Sequence, residues 1–146
     1  MEYTRAEAFQ ASTVARLALL LWSGNTLENL IAEYGEVLAD ENSAVFVAID
    51  DNTEIAFAQF GLRHDYVEGT DRRPVGYVEG IYVLESRRGE GVAKKLVALG
   101  EAWAREKGCA QMASDCELDN TGSLRFHLGC GFTEANRIIC FVKDIG

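Results

Sequence analysis

The segment that decides the fold is Val75-Gly76-Tyr77-Val78-Glu79-Gly80-Ile81-Tyr82-Val83-Leu84-Glu85-Ser86-Arg87-Arg88-Gly89-Glu90-Gly91-Val92-Ala93. Its first ten residues are rich in β-formers and predict a strand over Val75–Leu84, with Gly76 and Gly80 as points of bulge or close backbone approach. A glycine-bearing turn follows directly. Beyond it Leu96, Val97, Leu99, Ala102 and Trp103 recur at helical spacing until Lys107-Gly108 ends the run. Strand, glycine turn and helix make a βα unit. The turn carries chemistry as well, because amides at a helix N-terminus attract anions and glycines let a phosphate approach the backbone. It has no Gly-Lys-Ser/Thr, and Lys94 stands where a dinucleotide fingerprint would have its third glycine. On these residues alone, a tight βα connection with two convenient glycines is as good a reading as a phosphate cradle.

Outward from this unit, Val14, Leu17, Leu20 and Leu21 mark a helix within Ala8–Trp22, and Leu27, Leu30, Ile31, Tyr34 and Leu38 mark another behind a Thr26 cap. Ala44–Ile49 and Ile55–Leu62 flank the turn residues 50–53 and predict a hairpin. Arg63–Pro74 reads as a polar loop. Downstream, Cys109–Cys116 predicts a strand, Asn120–Leu128 a short helix and Arg137–Lys143 a last strand. The order ααβββαβαβ predicts one α/β domain over residues 1–146, built on a mixed sheet.

Composition narrows the function classes. The chain of 146 residues has a formal net charge of −9, which disfavours duplex nucleic acid and favours cationic partners. Residues 1–60 hold ten carboxylates against only Arg5 and Arg16. The longest apolar run, Leu17–Trp22, is far shorter than the ~20 residues of a membrane-spanning helix. No signal pattern precedes it, so a cytoplasmic, membrane-free protein is expected. Cys109, Cys116, Cys130 and Cys140 lack CxxC spacing, and His64 and His127 form no cluster with them, so no metal site is expected. The cysteines read as small hydrophobes.

Two motifs occur in order. Arg88-Gly89-Glu90-Gly91-Val92-Ala93 resembles the cofactor turn of the GNAT acetyltransferases, with Arg88, Gly91 and Ala93 in the fixed places. Asn120, Ser123, His127 and Gly131-Phe132 are similar in spacing to that family's second motif, an asparagine opening a helix that closes in Gly-Phe. The resemblance implies the GNAT fold: a mostly antiparallel central sheet with a splayed parallel pair, flanked by helices. It implies acetyl-CoA as cosubstrate, with its pyrophosphate on Arg88, Gly89, Glu90, Gly91, Val92, Ala93 and Lys94. Its pantetheine arm would lie along Ile81, Tyr82 and Val83 and near Asn120.

The chain also resembles the aminoglycoside 6′-N-acetyltransferases. Leu21-Trp22-Ser23, Asp65–Thr70, Pro74–Val83, Ala113-Ser114-Asp115 and Leu118-Asp119-Asn120 carry that likeness. It implies acetyl transfer to the 6′-amine of these antibiotics, resistance to them, and a homodimer. Trp22, Tyr66, Glu79 and Asp115 would line the acceptor site, with Asn136 at its edge, where the subgroup often presents an acid. Here the nearest acid is Glu134.

Acetyl transfer needs an uncharged amine near the carbonyl, a donor to the oxyanion and a proton for the thiolate. Glu79 is expected to bind an ammonium group and relay a proton, and Asp115 to bind. His127 takes the place of a family tyrosine as proton donor, and the Val83 backbone N–H serves the oxyanion. From residue pattern alone Trp22 ends a core stripe, Glu79 is a surface acid and Asp115 caps a strand. Two other readings stand beside this one: acetylation of another cationic amine such as a polyamine, peptide or metabolite, and a noncatalytic acyl-CoA-binding module.

Overall fold

A computed structural model describes residues 1–146. Five strands form one sheet in the order β1-β2-β3-β4-β5, namely Glu2–Arg5, Ser43–Asp50, Thr53–Arg63, Val75–Val83 and Met112–Ala113. Neighbours are antiparallel except β4 and β5, which run parallel. Helices α1 (Ala11–Leu21), α2 (Leu27–Ala39), α3 (Val92–Glu106) and α4 (Thr121–Gly129) complete the fold. This is the mixed α/β architecture expected of the sequence.

The alternation of the central strands sends side chains to two cores. Val45, Val47 and Phe57 pack with Val14, Leu17, Leu30 and Tyr34 of α1 and α2. On the opposite face Ala58, Phe60 and Val78 meet Leu96, Trp103 and Ala104 of α3. Helix α3 approaches closely because Gly100 has no side chain; a Cβ there would lie 2.3 Å from the Phe60 ring. The predicted Thr26 cap is present, its Oγ1 accepting the Asn29 amide at 3.2 Å, and β2 and β3 form the predicted hairpin.

Two expectations are corrected, and one strand was not expected. Strand β1 was not foreseen; it is four residues long, and its ladder with β2 is what defines it. The strand expected over Cys109–Cys116 is reduced to Met112–Ala113, because it pairs with β4 only at Gly76 and Tyr77 before the two diverge. The strand expected over Arg137–Lys143 does not form: residues 132–146 run without helix or ladder. Their β-forming side chains find no neighbouring strand within the chain, and Ile139, Phe141 and Val142 are 80%, 90% and 94% exposed. Of the cysteines only Cys109 is buried, and Cys116 and Cys140 are exposed.

Candidate active site

Strand β4 organises the site. Phe60 pairs with Val78 and Gln59 with Gly80, so Glu79 is an extra residue without a partner on β3, a β-bulge. The bulge turns Glu79 toward Gly61, whose missing side chain leaves room for the carboxylate; a Cβ there would stand 3.1 Å from Glu79 Oε2. Gly80 admits Trp22 in the same way, since a Cβ at Gly80 would fall 2.5 Å from the indole. Trp22 is thereby held on β4, with its ring edge-on to Phe57.

Beyond the bulge, β4 has a bare edge. Leu84 N–H donates to Ile55 O on β3, and alternation along an antiparallel ladder then directs the Val83 backbone away from β3. Accordingly, Val83 O accepts from Arg88 Nε at 3.0 Å, and Val83 N–H faces the gap that opens where β5 ends. The turn into α3 follows. Gly89 and Gly91 have φ of 86° and 81°, a left-handed conformation that side-chain-bearing residues rarely adopt. No turn or cap hydrogen bond is donated by the amides of residues 89–94. The turn is braced from behind by Arg87, which bonds Asp50 at 2.7 Å and Glu90 at 3.0 Å. These ion pairs hold the Glu90 and Asp50 carboxyls below the usual carboxylate range. Free amides, open space above both glycines and a brace on the far side fit a pyrophosphate.

Toward the other end of β4, beside Tyr77, lies a cavity of about 750 Å³, open to solvent and walled by the loop 64–74, β5, α4 and residues 131–138. Arg63, Tyr66, Glu68, Asp115 and His127 line it. The two loops that shape its mouth touch each other: Asn136 Nδ2 donates to Glu68 Oε1 at 2.9 Å, and a Cβ on Gly69 would overlap Ala135. Tyr66 O–H also donates to Glu68. Tyr77 O–H donates to Asp115 Oδ2, and the Arg63 guanidinium lies 4.0 Å above the centre of the Tyr77 ring. Arg63 Nη2 donates to Glu79 Oε1 at 2.6 Å. Burial, then the Asp115 bond, raises the Tyr77 phenol far above its ordinary range, so it stays a donor.

Of the predicted acceptor residues, Tyr66, Asp115 and Asn136 line the cavity directly. Glu79 adjoins it through Arg63, and Trp22 flanks β4 beside the bulge. His127 sits between α4 and β5 and lines the cavity. Its Nδ1 is 2.7 Å from Ser123 O; a carbonyl only accepts, so Nδ1 carries the proton. Nε2 is 2.7 Å from Ser114 Oγ, which donates to it in the neutral ring. Asn120 caps α4, its Oδ1 accepting the Ser123 amide at 3.1 Å.

Known proteins share this fold. The model of the acetyltransferase (GNAT) family matches residues 12–132. The chain belongs to the GNAT acetyltransferases. Among GNAT relatives, the aminoglycoside N(6′)-acetyltransferase type 1 of Salmonella typhimurium is 43% identical over 84% of this chain and 85% of its own. That of Serratia marcescens is 38% identical over 89% and 90%. A structure of AAC(6′)-Iy with a bisubstrate analogue, CoA-S-monomethyl-acetylneamine, superposes with a TM-score of 0.94 at 38% identity, covering 99% of this chain and 98% of that one. AAC(6′)-Ih from Acinetobacter baumannii gives 0.93 at 33% identity, with 99% of each chain covered.

Within this GNAT frame, sequence reading missed Arg63, Tyr77 and Glu68. Arg63 follows Gly61 by two residues at the end of β3 and therefore shares its face, a signal legible only once the strand is known to extend that far. Tyr77 read as an ordinary β-former, and its link to Asp115 depends on the short β4–β5 pairing.

Proposed function

We propose that residues 1–146 form one acetyltransferase domain that transfers the acetyl group of acetyl-CoA to the 6′-amine of aminoglycosides, conferring resistance to them. The observation that carries this reading is the placement of two unlike sites along one strand: free amides beyond Val83 for a polyanion, and the Glu79 and Asp115 carboxylates near Tyr77, with Glu68 at the mouth of the same cavity, for a polycation. The relatives' names and the bisubstrate complex of AAC(6′)-Iy support it.

Bound acetyl-CoA would supply an activated thioester carbonyl. Asp115 and Glu79 hold ammonium groups of the acceptor, each charge-assisted bond contributing on the order of 1.5–3 kcal/mol. Tyr66 and Trp22 offer ring faces to the sugars. Glu79 takes the proton of the reacting amine, directly or through water, so that an uncharged nucleophile attacks within a ternary complex. The Val83 N–H donates to the developing oxyanion. Return of a proton to the thiolate through Ser114 requires the imidazolium form of His127, in which Nε2–H passes its proton to Ser114 Oγ as the Ser114 hydroxyl proton goes to the thiolate. The protein acts in the cytoplasm; no helix is long and apolar enough to cross a membrane. It works as a homodimer, a reading supported by the apolar C-terminal segment, whose Ile139, Phe141, Val142 and Ile145 are 80–94% exposed in the single chain.

A thiol-release assay with acetyl-CoA tests the activity. Kanamycin-type aminoglycosides with a free 6′-amine should react and those without should not; turnover of spermidine or peptides alone would shift the function to another cationic amine. Glu79→Ala and Asp115→Ala should each lower aminoglycoside kcat/KM by about tenfold or more while sparing CoA affinity. Unchanged turnover would return both residues to structural roles.

A further inference from the structure

The cationic side chain nearest the proposed ammonium subsite belongs to the protein itself. Arg63 lines the cavity whereas Glu79 does not, so Arg63 stands between Glu79 and the space an acceptor would fill. Its guanidinium makes the two contacts that a bound ammonium group would make there: a 2.6 Å bond to the Glu79 carboxylate and a 4.0 Å approach to the Tyr77 ring face. The pair is not locked in place. The Arg63 side chain is 45% exposed and that of Glu79 28%, so water reaches the arginine side of the pair and screens it. Arg63 also has no other hydrogen-bond partner, while Asp115 is held separately by Tyr77.

We propose that Arg63 is a resident cation that occupies the Glu79–Tyr77 subsite and is displaced by the acceptor's ammonium group, which makes it a specificity-determining residue. The arrangement has a chemical logic. With Arg63 in place, Glu79 is neutralised, and a molecule of single positive charge gains little by exchanging one cation for another. A polycation that also engages Asp115 and Glu68 gains those contacts in addition and displaces the guanidinium. Arg63 thus filters acceptors by charge number, and loss of its charge should tighten binding and relax selectivity. The proposal rests on the polycationic-acceptor reading given above.

Calorimetric titration of the full-length protein with neamine and, separately, spermidine tests it. Arg63→Gln should bind both at least about threefold more tightly than the parent chain, as release from one exposed ion pair implies. Arg63→Met, which keeps an apolar stem over Tyr77, should do the same, and Arg63→Lys, which keeps the charge, should stay near the parent. The gain should vanish when Arg63→Gln is combined with Glu79→Gln, because it acts through that carboxylate. KM for the acceptor should fall in parallel with the dissociation constant. Equal or weaker binding by both neutral variants, or a gain that persists without the Glu79 charge, overturns the proposal. Spermidine binding without neamine binding would overturn the aminoglycoside reading alone, and Arg63 would still be judged on the spermidine arm.

Discussion

Two phenols distinguish themselves at the level of single residues. Tyr34 is buried at 1% exposure and donates to Gln59 Oε1 at 2.6 Å, and burial chiefly, with the nearby Glu33 charge, raises its pKa. Tyr77 is raised by burial and by its bond to Asp115. For an acid whose folded pKa is raised, the folded state binds the proton more tightly. The associated stability is fully present below the ordinary phenol range and is lost as pH climbs from that range through the raised folded value. Alkaline titration followed at the tyrosinate absorbance and by circular dichroism should therefore show part of the phenol ionisation coinciding with loss of structure. Tyr77→Phe should remove part of that coupling, keep the surface under Arg63, and reduce acceptor affinity through a reoriented Asp115. Ionisation of every phenol well before unfolding would contradict the assigned burial.

Among the elements, β4 and the turn after it carry both halves of the proposed chemistry, and they differ in how plainly the sequence announces them. The βα unit is legible because Gly89 and Gly91 must adopt left-handed φ and because the apolar period switches from strand to helix within a few residues. The hairpin and the Thr26 cap are legible for equally local reasons. The Glu79 bulge is not, since a bulge is a relation between two strands and no residue type marks it without the register of β3. Arg63 is hidden for the same cause: it pairs across from Val75, and its side chain meets Glu79 only because the bulge turns that carboxylate toward it. Gly80→Ala should separate these effects. Its Cβ would force the Trp22 indole away, costing about 1–3 kcal/mol of stability and raising acceptor KM while leaving CoA affinity intact. Gly91→Val should do the reverse, weakening CoA binding with little effect on acceptor affinity, because its left-handed backbone belongs to the turn. Isothermal titration with each ligand reads both outcomes.

For the whole molecule, the C-terminal segment is the departure from a self-contained fold. Ile138, Ile139, Phe141, Val142 and Ile145 are between 67% and 94% exposed, and burying such side chains is worth roughly 1.5–3 kcal/mol each. A strand reading of residues 137–143 was sound in composition and failed because the chain supplies no neighbour to pair with. In the proposed homodimer a second copy provides that cover. Light scattering should give twice the 16.1 kDa of one chain. Truncation after Arg137 should give the single mass, and a dimer that survives truncation would place the interface elsewhere. The charge asymmetry also takes on a location. The acid-rich first 60 residues include α2, whereas Arg87 and Arg88 lie at the turn read as anion-binding, and Glu79, Asp115 and Glu68 matter more to a cation than the total of −9.

The mouth of the acceptor cavity is made by two irregular segments, residues 64–74 and 131–138, joined by the Asn136–Glu68 bond and the Gly69–Ala135 contact. Apart from Phe132, which packs against the α3-side core, these residues contribute to neither buried core. Substitutions there can reshape the opening without a toll on folding, and they lie apart from the turn at Gly89–Gly91. Under drug selection such a protein could broaden or shift the range of molecules it inactivates by small steps at its rim, each tolerated by the scaffold, while the cofactor half stays as it is.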